Sequence, residues 1–215
     1  MAENKNRIAK SWNWGIIFGF FYESSLYDAS GLYDFVEDYF SDSKFYRHMH
    51  LGIADVLDGK FKSFKQSHGS EELIQVLKAS LAFPGVFKAV EAFDSLWFTG
   101  SAIYEIDILS AIKHCESVGY DEENIVIDVI VSGNPHLAHK LAQYYNAFGI
   151  AERTFEVQTY YQQMYGLLRA KAGHPGVDFR HVIGPNRDMP NKVVPIEFTV
   201  EEVKKQLYQG KPVFI

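Results

Sequence analysis

A hydrolytic serine in an α/β hydrolase-like fold lies in a Gly-x-Ser-x-Gly elbow, because only small residues fit around that crowded turn. Among the 16 glycines of this chain, only Gly15 and Gly19 are four positions apart, and the residue midway between them is Ile17. Isoleucine has no nucleophilic atom. Residues 1–14 contain no glycine, so no glycine-rich oxyanion loop precedes the pair. The sequence therefore contains no serine elbow.

Pairs of histidines could instead hold a metal ion. His136 and His139 are one helical turn apart, and His48 and His50 share one face of a predicted strand. Neither pair has a third ligand at a matching spacing, so we expect all four histidines to lie at the surface. No metal and no other cofactor is predicted.

The only cysteine, Cys115, directly follows His114. A catalytic thiol would need that histidine beside it, but adjacent side chains on a helix diverge by about 100°. We therefore expect Cys115 to be a buried core residue. A single cysteine excludes an internal disulfide and is typical of a reducing compartment.

The elements that could position a site lie between residues 70 and 115. Ser70 can cap a helix, and Pro84 disfavours helix at the residue before it. The predicted order begins with a helix at 70–81 and a break at Pro84-Gly85. Strands at 86–90 and 96–98 follow, joined by a turn at Asp94. The loop Thr99-Gly100-Ser101 then leads to a helix that ends at Gly119. This order predicts a hairpin held between two helices.

Within this stretch Ala79-Ser80 is followed by Pro84-Gly85-Val86-Phe87, and a hydrophobic hairpin then leads to Thr99-Gly100-Ser101. The pattern resembles the patatin-like phospholipase family. That family has a helix ending in Ala-Ser, then Pro-Gly-x-Phe, a hairpin, and Asp-Gly-Gly or Asp-Gly-Ala. In the family, that Asp and the elbow Ser form a dyad that cleaves lipid esters through an acyl-enzyme, without a metal.

The resemblance implies an α/β fold, a three-layer patatin-like domain related to the α/β hydrolases. It covers roughly residues 12–130 and places the nucleophile elbow before them. We therefore expect an N-terminally truncated domain over 1–150, with a helical C-terminal extension over 151–215 packed on it. The implied function is phospholipid or acylglycerol ester hydrolysis in lipid metabolism, with this chain inactive on its own. The alternative is a non-catalytic lipid-binding or regulatory relative.

Thr99 occupies the position of the family's catalytic Asp. A threonine hydroxyl has no accessible deprotonated form near pH 7 and cannot act as a general base. Asp94 lies five positions earlier in a turn, and Asp107 lies eight positions later at a helix start, so both are expected to be structural. Asp55 flanks a predicted hairpin turn and is expected to bind backbone groups there.

Apolar periodicity and turn residues predict the other elements. The near-continuous apolar run at 124–131 is typical of a parallel strand that is covered on both faces. The remaining predictions are a helix at 31–41, a hairpin at 45–64 that turns at Asp58-Gly59, helices at 137–148 (closed by Gly149), 152–172 and 199–208, and a strand at 179–183. The inward face of the helix at 152–172 is predicted to carry Val157, Tyr161, Met164, Tyr165 and Leu168.

The net charge of −6 argues against a nucleic-acid partner and against electrostatic docking to an anionic membrane. The apolar run Trp12–Tyr22 is short of the ~20 residues that a membrane span needs, which indicates a core or interfacial helix. Residues 1–10 do not have the charge pattern of a signal peptide. We expect a cytoplasmic protein, with peripheral membrane association as an alternative. The many aromatic residues are expected to form an ordinary core rather than a lipid groove.

The predicted loss of the elbow strand has a consequence for partners. It would leave neighbouring strands such as 125–131 with unpaired backbone groups, which are a template for another chain. We therefore expect a homo-oligomer, or a complex with a complementing N-terminal half, rather than a monomer. A lipid or membrane surface is the other expected partner.

Overall fold

The computed structural model of the protein describes residues 9–12, 15–43, 46–133, 136–137, 139, 146–185, 204 and 213–214. It combines α-helices with β-sheets, as the α/β prediction requires. The chain divides into two compact units, Met1–Tyr104 and Glu105–Ile215. The predicted boundary at residue 150 falls inside a helix, Ala147–Gly173.

The first unit alternates short helices with antiparallel strands. Its elements are β1 (Lys10–Ser11), α1 (Gly15–Tyr22), β2 (Tyr27–Asp28), α2 (Ser30–Phe40), β3 (His50–Asp55), β4 (Phe61–Lys65), α3 (Ser70–Leu81), β5 (Val90–Ala92), β6 (Ser95–Thr99) and a 3-10 turn (Gly100–Ala102). The helix predicted at 31–41 and the hairpin turning at Asp58-Gly59 are both present.

Strands β3 and β6 form the centre of an antiparallel sheet of order β4-β3-β6-β5. Helix α3 packs on this sheet and contributes small and branched side chains to one core. The buried members of that core are Ile53, Phe64, Val76, Ala79, Ala82, Val90 and Trp97. Burial of these side chains is the main favourable contribution to the stability of this unit.

Helix α3 has the predicted length, but its first residue plays a different role from the one expected. Gly69, not Ser70, is the N-cap, and no side chain caps this end. The chain leaves the helix after Leu81 and before Pro84, as the proline requires. Gly85 then adopts a φ of +76°, a conformation that favours glycine.

The predicted strand at 86–90 is only partly correct, because β5 begins at its last residue. Phe87 instead forms an isolated parallel bridge with Tyr27, so this segment runs beside β2 before it enters the hairpin. Phe93 and Asp94 form the turn of the hairpin, with φ values of 50° and 57°. Positive φ at both central residues is the conformation of a two-residue turn whose twist matches that of the strands.

Helix α1 carries the aromatic run that the sequence placed in a core or interfacial helix. The side chains of Phe21 and Tyr22 are 71% and 77% exposed. Gly19, by contrast, is buried, and the Trp12 indole N–H donates to the carbonyl of Ser25 at 3.0 Å. Of the helices that the structure describes, none has both the length and the apolarity that crossing a membrane demands.

The second unit is built around a three-stranded sheet. Its elements are α4 (Ile108–Ser117), a 3-10 turn (Glu122–Asn124), β7 (Val126–Ile130), α5 (Ala147–Gly173), β8 (Asp178–Gly184) and β9 (Val213–Phe214). Strands β7 and β8 are parallel, and β9 pairs antiparallel with β8. Most of the helix predicted at 137–148 and nearly all of the one at 199–208 lie outside the described residues.

The prediction that β7 is covered on both faces is wrong. β8 is its only strand partner among the described residues, which makes β7 an edge strand there. Val129 faces the core, but Val126 and Ile130 are 52% and 75% exposed. An apolar run indicates full burial only where two layers cover the sheet, and the core of this unit lies on one face of β7.

Helix α5 corrects two predictions. Gly149 does not close an earlier helix but lies in the first turn of α5, where its N–H donates to the side chain of the N-cap Asn146 at 2.9 Å. The buried face of α5 includes Gln163 and Ala170. Four of the residues predicted to face inward are exposed instead: Tyr161, Met164, Tyr165 and Leu168. Apolar residues occur all around this helix, so their spacing does not identify one inward face.

Candidate functional site

Thr99, the residue at the predicted position of a catalytic acid, is the last residue of β6. The sheet register pairs it with Ile53 of β3. Its backbone N–H donates to the carbonyl of Ala82, just beyond the end of α3, at 3.0 Å. The position of Thr99 is therefore fixed by a central strand on one side and by the end of a helix on the other.

Gly100 follows at the start of the 3-10 turn and is buried. A Cβ atom at this position would lie 2.5 Å from the carbonyl oxygen of Gly52 and 2.8 Å from the ring of Phe61. Because backbone atoms cannot yield as a flexible side chain can, only glycine fits here. The carbonyl of Gly100 accepts the N–H groups of Ile103 and Tyr104, which closes the turn.

The side chain of Thr99 makes hydrogen-bond contacts within this turn. Its Oγ1 accepts the N–H of Ser101 at 3.4 Å and lies 3.1 Å from the Ser101 Oγ. These contacts cap the 3-10 turn. The three residues that the sequence grouped as one motif are thus brought together, and the motif provides two hydroxyl groups but no carboxylate. It cannot supply a general base.

Asp55 has the structural role that the sequence predicted. Its Oδ1 accepts the N–H groups of Leu57 at 2.8 Å and of Asp58 at 3.1 Å, across the turn that follows β3. Its Oδ2 accepts the hydroxyl of Ser95 at 2.8 Å. Burial alone would raise the pKa of this carboxyl, but the hydrogen bonds from Asp58, Ser95 and Leu57 outweigh that effect and hold it below its usual value.

The Ser95–Asp55 pair is a serine–aspartate contact that sequence reasoning missed. The two residues are 40 positions apart, and no local motif marks Ser95. Only the pairing of β3 with β6 brings them together. Since a lowered pKa makes a carboxylate a weaker base, this pair is better suited to joining two hairpins than to activating a nucleophile.

An open depression of about 600 Å³ lies over the β5–β6 turn of this unit. Its lining residues are Leu57, Glu91, Ala92, Phe93, Asp94, Ser95 and Leu96. Asp94 therefore belongs to this depression, where its positive φ gives it a role in the turn. The Thr99 turn is not part of the lining.

Asp107 also has the predicted structural role. It is the N-cap of α4, and its Oδ1 accepts the N–H of Ser110 at 3.2 Å. Cys115 is half-buried rather than buried as predicted, and it packs against the core of the second unit. Neither residue has a geometry that indicates catalysis.

Neither histidine pair belongs to a cluster of three metal-binding side chains among the described residues. The Nδ1 of His48 lies 2.7 Å from the side-chain amide nitrogen of Gln66, and the Nδ1 of His50 lies 3.3 Å from the hydroxyl of Ser63. His136 and His139 are not helical, so their spacing does not place them one turn apart.

Comparisons with known proteins leave the family open. No family model matches this sequence, and no curated protein matches it either. The assignment of function therefore depends on the residues and on the geometry described above.

The Ser95–Asp55 hydrogen bond predicts a pH-dependent effect of Ser95→Ala. A carboxyl whose pKa is lowered by folding stabilises the fold above its usual pKa, about 4, and this contribution is lost as the pH falls toward the lowered value. We expect Ser95→Ala to lower the melting temperature at pH 7 and to have a smaller effect near pH 3. Thermal melts followed by circular dichroism measure both differences.

Ser80→Ala is the matched control, because the Ser80 hydroxyl donates to the backbone carbonyl of Leu77, which does not titrate. Its effect should be the same at both pH values. An equal effect of Ser95→Ala at both pH values would show that the Ser95 hydroxyl does not bind an ionised Asp55.

Proposed function

We propose that this chain belongs to the lineage of patatin-like lipid acyl hydrolases, with Thr99 at the position of the catalytic acid. The order of elements supports the proposal. Helix α3, the Pro84-Gly85 break, the β5–β6 hairpin, the Thr99 turn and helix α4 follow one another in the order of the family's motifs. The fold proposed with this lineage is the three-layer patatin-like one.

The observation that carries the proposal is the fixed position of Thr99. Its backbone is bound to Ala82 and paired with Ile53, and Gly100 next to it lies against the backbone of Gly52. A catalytic carboxylate must be held rigidly to meet its partner within a fraction of an ångström. These backbone contacts would hold a side chain at position 99 in this way, and the residue at that position is a threonine.

Hydrolysis by a Ser–Asp dyad is therefore not assigned to this chain acting alone. The substrate class of the lineage is the ester of a phospholipid or an acylglycerol, and its reaction uses no metal or cofactor. We propose that hydrolysis would require a complementing N-terminal half. The unpaired edge of β7 in the described structure is consistent with a further strand from such a half.

A second candidate function, non-catalytic lipid binding, is favoured by exposed apolar side chains of the first unit. Phe21 and Tyr22 of α1, Tyr39 of α2 and Leu57 of the β3–β4 turn are 65–77% exposed. Aromatic side chains with a polar tip suit the boundary between water and lipid. The net charge of −6 favours zwitterionic or neutral lipid over an anionic surface.

The proposed lack of catalysis is tested with the purified 215-residue chain. We expect no labelling by a fluorophosphonate probe and no esterase turnover above blank, because no serine of this sequence lies in a Gly-x-Ser-x-Gly elbow. Ser95→Ala is the informative variant, since Ser95 is bound to a carboxylate. Labelling or turnover that disappears when one serine is replaced would refute the proposal. Binding of phosphatidylcholine vesicles without turnover would favour the second candidate.

A further inference from the structure

Three side chains with metal-binding atoms meet in the second unit, and none of them belongs to the Thr99 turn. They are Glu116 in the last turn of α4, Glu122 at the start of the following 3-10 turn, and His174, the C-cap of α5. One ligand atom from each lies within 4.8 Å of the other two. Sequence reasoning did not group these residues, because 58 positions separate the first from the last.

The distances suit a small cation. The Nδ1 of His174 lies 2.7 Å from Oε1 of Glu122 and 3.9 Å from Oε1 of Glu116. Two ligands about 2.1 Å from a tetrahedral Zn²⁺ are about 3.4 Å apart. Shifts of less than about 1 Å would therefore bring all three atoms to coordination distance of one ion.

A backbone hydrogen bond orients the carboxylate of Glu122. Its second oxygen accepts the N–H of Gly176 at 3.1 Å. A Cβ at Gly176 would lie 2.8 Å from the Cβ of Glu122, so glycine permits this close approach. Hydrogen bonds from the surrounding backbone are how metal-binding carboxylates are usually held.

The electrostatics of the cluster favour a cation independently of the distances. With a neutral imidazole the three groups carry two negative charges. Glu116 lies in the last turn of α4, and His174 ends α5. Both helix ends carry a partial negative charge from their carbonyl groups, which disfavours a carboxylate there and favours a positive ion. A divalent cation would neutralise this concentration of negative charge.

We propose that Glu116, Glu122 and His174 form a binding site for one divalent transition-metal ion such as Zn²⁺. One imidazole and two carboxylates are ligands that Zn²⁺ accepts, and the side chains are exposed enough for water to complete the coordination. The ion would join the end of α4, the 3-10 turn and the end of α5, which are separate in sequence. Its role in this position is to stabilise the second unit. The site is independent of the proposed function of the Thr99 turn.

The test uses the full chain, freed of metal with a chelator and titrated with Zn²⁺ in a calorimeter. We expect one Zn²⁺ per chain and a melting temperature that rises with Zn²⁺ and falls again on chelation. His174→Gln and Glu116→Gln should each weaken binding at least about tenfold. Co²⁺ in place of Zn²⁺ should give visible absorption bands that both variants lose.

Glu116→Gln separates loss of a metal ligand from loss of the fold. It leaves the Glu122–His174 hydrogen bond in place and removes only a partly exposed carboxylate. Glu123→Gln is the matched control, since Glu123 is the exposed neighbour of Glu122 and lies outside the cluster. It should bind Zn²⁺ as the wild type does. The proposal is overturned if the wild type shows no saturable binding. It is also overturned if either Glu116→Gln or His174→Gln binds as tightly as Glu123→Gln.

Discussion

Replacement of Ile53 by alanine is expected to lower the free energy of unfolding by about 2–5 kcal/mol. Ile53 is fully buried at the centre of β3, between β4 and β6, and it packs in the core formed with α3. Removing its side chain loses apolar burial and leaves a cavity that these strands and α3 cannot easily close. Because Ile53 pairs with Thr99, the same change should loosen the proposed site.

Urea denaturation followed by circular dichroism measures this effect. Ile53→Val should cost only about 0.5–1.5 kcal/mol, because it removes a single methylene group. Leu57→Ala is the surface control: its side chain is 71% exposed, and a change of about 0.5 kcal/mol or less is expected. Equal effects of Ile53→Ala and Leu57→Ala would show that β3 is not the centre of this core.

The largest effect on activity is expected from Thr99→Asp. By itself this change should produce no hydrolysis, because a base has no serine to activate. In a complex with the N-terminal half of a patatin-like phospholipase, the same carboxylate would receive the proton of the elbow serine. A well-placed general base contributes about 10²–10⁴-fold to a rate, so a gain of that size over the wild-type complex is expected.

The sequence predicted the first unit well where short-range chemistry decides the structure. The Pro84-Gly85 break, the Asp58-Gly59 turn and the structural role of Asp107 at a helix start depend on residues close in the chain, and each is found as predicted. Prediction from the sequence failed where two segments that are remote in the chain contact each other. The first four residues of the strand predicted at 86–90 lie outside β5, where Phe87 forms a bridge with Tyr27, and the Ser95–Asp55 hydrogen bond had no local signal.

Two errors in the second unit share one physical cause. The apolar residues of β7 and of α5 were predicted to be buried because burial is their usual state. Ile130 of β7 and Leu168 of α5 are 75% and 55% exposed in the described structure. Burial of an apolar side chain is favourable, but its apolar character does not identify the segment or partner that buries it. The cluster of Glu116, Glu122 and His174 likewise depends on contacts between remote elements.

The central claim, that Thr99 stands at the catalytic-acid position of a patatin-like site, is tested most directly by complementation. The full chain, as wild type or Thr99→Asp, is combined with an N-terminal half that carries a Gly-x-Ser-x-Gly elbow, and light scattering verifies the complex. Ser101→Asp is the control, since it places a carboxylate two residues away in the same turn. The account predicts phospholipid ester hydrolysis with Thr99→Asp well above that of the wild type and of Ser101→Asp. Equal turnover by the three complexes, or halves that do not associate, would contradict it.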